Sequence, residues 1–392
     1  MSAASPSSAS PAETGGVAAV DGLPGIEAHP HARSVLASAL GPGGKPSHAY
    51  LFHGPAGTGK RAIARAFAAS LLVEGARNPE TVGERVARDS HPDLTWVTPS
   101  GAAEMLVGDV EEPVVAAAAR TPFESARRVF VLESVETMNE QAANRMLKTL
   151  EEPPSFAHLV LLSDRREDVL ATIVSRCQQV RFDPLPSERI ADGLMEGEED
   201  VESVLAHACG RLALGDARLA ARFLGAEGQA LRARAEAYVR STLAGSTGER
   251  PWIALLGAAK AAGESAGESG QERMEAELEL VPSKERKRYE REALEARRRG
   301  ERRVRTQTLD LALRLAELWL RDMLCVCEGA PELIYALDRR SELELDADGR
   351  DGARLRAGIE LVGDTRLSLS LNPSEELALE ALAYRLQALL AR

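Results

Sequence analysis

Eight residues constrain this chain more than any others: Gly54, Pro55, Ala56, Gly57, Thr58, Gly59, Lys60 and Arg61. Glycines at these spacings let backbone N–H groups turn inward around an anion, and a helix starting near Lys60 adds the positive end of its dipole. The flanks agree with this. Residues 49–52 form a short apolar run that reads as a buried strand. Residues 62–73 are Ala-rich, with Ile63, Ala66, Phe67 and Leu71 on one helical face. A glycine-rich turn between strand and helix is the context that a phosphate-binding P-loop requires, and Lys60 stands where its lysine reaches the β- and γ-phosphates. Arg61 is the departure. A working loop places Ser or Thr there to hold Mg²⁺, and a guanidinium cannot ligate a cation. Loop shape and nucleotide binding are therefore separate questions.

Further apolar runs follow at residues 94–97, 128–132 and 158–162, with helical patterns between them, notably residues 139–150, stopped by Pro153 and Pro154. A shorter helical reading covers residues 110–119, and residues 180–182 follow as another extended piece. Strands alternating with helices predict an α/β domain with a parallel sheet covered on both faces. The run at 128–132 ends in Glu133 and Ser134. P-loop ATPases place an acidic pair at this point: one carboxylate supports Mg²⁺ and, in many families, the next activates water. Glu133 has the chemistry for the first task. Ser134 is no general base at neutral pH. Arg61 and Ser134 thus remove the two groups hydrolysis needs most.

At 392 residues the chain is long enough for roughly two or three domains. Aromatics are only 4%, so the cores must be aliphatic, as in helix-rich proteins, and the net charge of −12 argues against a protein that coats nucleic acid generally. The four cysteines, Cys177, Cys209, Cys325 and Cys327, form neither a disulfide framework nor a zinc set, which suits a reducing cytoplasm. No apolar run of about 18 residues predicts a membrane span. Residues 1–21 are Ala/Ser/Pro/Gly-rich without basic or apolar signal regions, and read as a disordered leader.

After Asp183 the pattern is helical only. Residues 22–183 are expected as the P-loop domain, 184–244 as a small helical lid and 245–392 as a helical collar. Residues 245–251 and 263–270 read as flexible linkers. A charge-dense helix at about 283–305 leads into an apolar one at 309–325, with Leu311, Leu315, Leu318 and Trp319 as core candidates. Residues 284–305 hold eleven Lys/Arg against five Glu. Such a helix either meets an acidic partner or DNA phosphates, or is a solvated face laced with pairs such as Glu295 with Arg299. The second is the simpler reading. Asn372 and Pro373 are expected to cap the last helix.

Residues 141–144 and 147–154, the stretch Leu170 to Cys177, and His48 to Phe52 ahead of the loop together resemble bacterial DNA polymerase III clamp-loader subunits of the AAA+ class. The resemblance is dense from about Gly25 to Phe182. Gly215 to Arg218 resembles the turn carrying that family's sensor-2 arginine, and Trp319 to Asp322 resembles the collar of its delta-prime branch. The resemblance implies a hetero-pentamer with gamma/tau-type and delta-type subunits, a sliding clamp opened and set on primed DNA during replication, and service to a polymerase holoenzyme whose nucleotidyl transfer lies elsewhere. In such an assembly Ser175, Arg176 and Cys177 would supply Arg176 in trans to a neighbour's ATP, where it would stabilise charge on the γ-phosphate. Ser163 falls at the sensor-1 position. Bound ATP or ADP would be a structural ligand. Many members carry zinc cysteines between the loop helix and the second strand; residues 72–97 contain no Cys, and His91 alone makes no zinc site. The alternatives are an ATP-hydrolysing gamma/tau-type subunit and a stand-alone P-loop module that binds DNA.

Overall fold

The computed structural model describes residues 20–41, 43–100, 104–197, 200–278, 286–369 and 374–391. The chain divides into one compact unit ending at Leu185 and a second beginning at Pro186. The first is built on five parallel strands, β1 (Ala49–His53), β2 (Leu94–Val97), β3 (Arg128–Leu132), β4 (Ala157–Ser163) and β5 (Gln178–Arg181), in the order β2-β3-β4-β1-β5. Alternation along each strand divides the core. Tyr50, Phe52, Val129, Val131, Val160 and Leu162 face one side, and pack with α1 (Pro30–Leu40), α2 (Lys60–Val73) and α3 (Pro79–Ala87). Leu51, Phe130, Leu132, Leu159 and Leu161 face the other. They meet α4 (Val107–Val110) with its π-helical continuation Glu111–Ala116, α5 (Glu140–Glu151) and α6 (Ala171–Val174). A sheet apolar on both faces must be covered on both, which is why its strands read as unbroken apolar runs.

One boundary of this unit differs from expectation. The leader was expected to reach residue 21, and residues 1–19 lie outside the described residues. Val20, however, is buried in the core with Leu23 and Ile26, and Asp21 pairs with Arg33. An apolar residue followed by a paired acid belongs to the domain. Between α2 and β2, α3 buries Val82 and Val86, and the Asp93 carboxylate accepts the backbone N–H groups of Phe123, Glu124 and Ser125. His91, also buried, faces Glu124 at 3.2 Å, and burial pushes its pKa down.

The second unit is helical: α7 (Ser187–Gly197), α8 (Ser203–Leu212), α9 (Ala217–Leu224), α10 (Ala226–Leu243), α11 (Trp252–Leu278), α12 (Arg286–Cys327), α13 (Arg340–Ala347), α14 (Gly352–Leu369) and α15 (Glu375–Leu390). The helices expected as lid and as collar lie in this one unit. Buried Arg232 on α10 joins them, bonding Asp338 at 2.8 Å and Glu236 at 3.0 Å. The residues 319–322 motif is structural. Trp319 lies under Arg240 and donates its indole N–H to Asp346, while fully buried Asp322 accepts the backbone N–H groups of Tyr335 and Ala336.

Neither expected linker is one. Thr247 is buried and bonds Gln387. Residues 263–270 lie inside α11, whose glycines form the seam against α12. An added Cβ at Gly263 would stand 3.0 Å from the Glu301 carbonyl oxygen, and one at Gly267 would stand 2.1 Å from the Glu301 carboxylate. Glycine here permits close helix approach rather than flexibility. The charge-dense and apolar helices are one continuous helix of 42 residues; residues 283–285 lie outside the described residues, as do Asn372 and Pro373. The side chain that caps α15 is Ser374, which accepts from the Leu377 N–H. Among the described residues no helix is long and apolar enough to cross a membrane.

Candidate functional site

The expected loop, Glu133, Ser134 and Ser163 positions gather where three strands end. Residues 54–59 follow β1, Glu133 and Ser134 follow β3, and Ser163 closes β4. In a parallel sheet this carboxyl edge is where ligands sit. Gly54 is required by its surroundings. Its φ is +145°, and an added Cβ would fall 2.0 Å from the Phe182 carbonyl oxygen. Its N–H donates to the Ser163 carbonyl, which ties the loop to β4. Gly57 and Gly59 have φ of +71° and +87°, and Gly59 opens α2. His29 donates from Nε2 to the Thr58 carbonyl at 2.8 Å, and the Thr58 hydroxyl donates to the Pro55 carbonyl. Pro55 and Ala56 form the exposed crest of the turn.

The charges of this loop are engaged within the chain. Lys60 is buried. Its ammonium donates to the carbonyls of Gly54 and Pro55 at 2.6 Å each and pairs with Asp164 at 2.9 Å. Arg61 pairs with Glu133 at 2.7 Å, and Trp96 donates its indole N–H to the same carboxylate oxygen. The Arg61 guanidinium also lies 5.8 Å from the Trp96 ring centre. The carboxylate expected to support Mg²⁺ is therefore neutralised by the residue standing in the Mg²⁺-hydroxyl position. These residues do not fit a P-loop magnesium site. Ser134 holds a left-handed backbone conformation and caps the short turn Val135–Thr137. Ser163 is buried, and its hydroxyl accepts the Arg165 N–H.

Two residues of this cluster escaped sequence reasoning. Asp164 directly follows the sensor-1 position, and Glu136 lies two residues beyond Ser134. Burial pushes the Glu136 pKa up, against a smaller lowering by its hydrogen bonds, the Ser163 hydroxyl among them. Their signal was positional only, since acids just past strand ends are common. Among the described residues no three His, Cys, Asp or Glu side chains gather as a metal site.

Arg176 stands apart from the loop cluster, in the turn that follows α6. It is partly exposed, donates to the Thr172 carbonyl at 2.9 Å, and pairs with Glu151 at the end of α5. Burial pushes the neighbouring Cys177 thiol up to about 12, so that cysteine is a packing group. In the second unit, Gly215 turns with φ of +94°, Asp216 caps α9 by accepting the Leu219 N–H, and Arg218 is exposed on its first turn.

Residues 29–186 match the family model described as "DNA polymerase III, delta subunit". The chain is 38% identical over 159 residues to the DNA polymerase III subunit delta′ of Pseudomonas aeruginosa, covering 39% of this chain and 48% of that protein. It is 36% identical over 156 residues to the delta′ subunit of Bacillus subtilis, covering 38% of this chain and 46% of that one. Against the tau subunit of Bacillus subtilis it is 32% identical over 168 residues, 41% of this chain and 29% of that protein. The chain thus spans less than half the length of these relatives. Over residues 29–186 it is thus similar to DNA polymerase III delta and delta-prime subunits.

Proposed function

We propose that this chain is a delta-prime-type subunit of a clamp loader: a non-hydrolysing stator that works in the cytoplasm beside gamma/tau-type and delta-type subunits, helping to set a sliding clamp on primed DNA. The observation that carries this reading is the Arg61–Glu133 pair at 2.7 Å. It commits to each other the two positions at which an ATPase would hold magnesium. With Ser134 in place of a carboxylate, the loop keeps the shape of a phosphate site without the means to activate water. ATP or ADP bound there would be a structural ligand, and Lys60 would have to leave the Gly54 and Pro55 carbonyls to meet it. Arg218 would contribute as the sensor-2 arginine. No zinc is expected, a reading supported by the packing of α3 and the Asp93 clamp in the span where other members bind it.

Arg176 is the residue this reading makes active. It would reach the γ-phosphate held by the adjoining subunit, where charge-stabilising arginines contribute most. Its one charged partner among the described residues is the half-exposed Glu151, and an exposed pair of this kind holds by only ~0–1 kcal/mol. Polymerase chemistry belongs to the holoenzyme served. The test is reconstitution with gamma/tau-type and delta-type subunits and a clamp. The chain should enter a stable complex and be needed for clamp loading on primed DNA. Failure to co-assemble, with the partners shown competent, would contradict the proposal.

A further inference from the structure

The charge-dense half of α12 is not evenly solvated. At about 100° per residue around a helix, Lys287, Arg291, Arg298, Arg302 and Arg305 fall within a sector of about 60°. Glu290, Glu295 and Glu301 fall outside it. All five basic residues are exposed. The intrahelical pairs expected from the sequence are present, Glu295 with Arg299 at 3.6 Å and Glu301 with Arg297 at 3.3 Å, but they engage arginines off this stripe. Arg305, at the inner end, pairs with Glu375. Among the described residues the outer part of the stripe, Lys287, Arg291 and Arg298, makes no ion pair, and on a chain of net charge −12 it is a concentrated exception.

We propose that this stripe is a contact for the phosphate backbone of double-stranded DNA. The inner part of the stripe is braced, because the glycine seam packs α11 against α12 at Arg297, Glu301 and Arg305. From Lys287 to Arg305 it runs about 27 Å at 1.5 Å per residue. A straight row of cations at one- and two-turn spacings suits the regular phosphates of a duplex. A single strand would call for stacking aromatics, and the sector holds none. An acidic protein partner would call for apolar anchors at its centre; only Leu294 borders the sector, and it is 36% exposed. The contact is sequence-independent, since arginines aligned on phosphates carry no base readout.

The test is fluorescence anisotropy of a labelled duplex of about 30 base pairs with the full chain, titrated across salt. Wild type should bind at low salt, with log K falling against log salt at a slope of about −3, the value for three released counterions. The triple variant Lys287→Glu, Arg291→Glu and Arg298→Glu should lose about tenfold or more in affinity. A control of equal charge, Arg222→Glu, Arg234→Glu and Arg385→Glu, should change it by less than about twofold. Circular dichroism and thermal midpoints verify that both variants fold. Three results would overturn the proposal: no duplex binding by wild type at low salt, equal losses in the two variants, or binding to polyglutamate in preference to the duplex. The last would point to an acidic protein surface instead.

Discussion

Two loops of the first unit carry arginine in opposite circumstances. At the loop after β1, both cations are committed inside the chain. Lys60 is buried against two carbonyls and Asp164, and Arg61 is matched to Glu133 under Trp96. At the turn before β5, Arg176 lies at the surface with one half-exposed acid for a partner. The difference teaches where chemistry is still available. A motif can keep its glycine geometry while its charges neutralise one another, and a lone arginine on a short turn can be the group left to act on another molecule.

The largest expected effect follows from that second loop. Arg176→Ala should leave folding and assembly near normal and depress ATP turnover in the reconstituted complex by about 10³-fold. An unchanged rate would remove the trans-acting role and make the two loops equivalent. Next is the geometry of the first loop. Gly54→Val forces a side chain into the Phe182 carbonyl at a backbone conformation that only glycine adopts readily. It should cost about 3 kcal/mol or more in denaturant unfolding. A loss below 1 kcal/mol would mean that the loop is pliable, and the contrast with Arg176 would weaken.

A smaller effect is expected from Arg61→Thr, which removes the pair with Glu133 and restores a hydroxyl. Nucleotide affinity should become about tenfold stronger with Mg²⁺ than without, measured by calorimetry, while hydrolysis stays absent because Ser134 remains. Magnesium dependence already present in wild type would contradict the neutralised-site description. Glu136 provides a pH test. Burial raises its pKa above the unfolded value, so the native state binds more protons than the unfolded one. Its contribution is fullest at pH below the usual glutamate value and is lost as pH rises through the elevated one. Glu136→Gln should flatten that decline in pH-dependent unfolding. The smallest effect is expected from Glu151→Gln, under about 1 kcal/mol in stability, since the pair it breaks is largely solvated. Complex turnover should persist, because Arg176 is released rather than removed.

The first unit was legible because parallel strands buried on both faces read as apolar runs, as at 128–132 and 158–162, and because residues 54–60 permit few alternatives. The second unit misled where composition mimics a linker. Residues 263–270 are Gly, Ser, Glu and Ala whether they wave in solvent or line a helix seam; only the partner helix, with Glu301 and Arg305 opposite, decides. The partners of the key charges were not legible either. Asp164, Glu136 and Glu151 are distant in sequence from Lys60, Ser163 and Arg176 respectively, and nothing local in an acidic residue says which group the fold will bring to it.

The central claim is that the loop at Gly54 to Arg61 is a phosphate-binding shape whose charges have been turned inward. It is tested most directly by steady-state ATP hydrolysis of the isolated chain, with Mg²⁺ and primed DNA. The structure predicts no turnover above background, with or without DNA. A DNA-stimulated rate that disappears in Lys60→Ala would contradict it, and would place the motor in this chain.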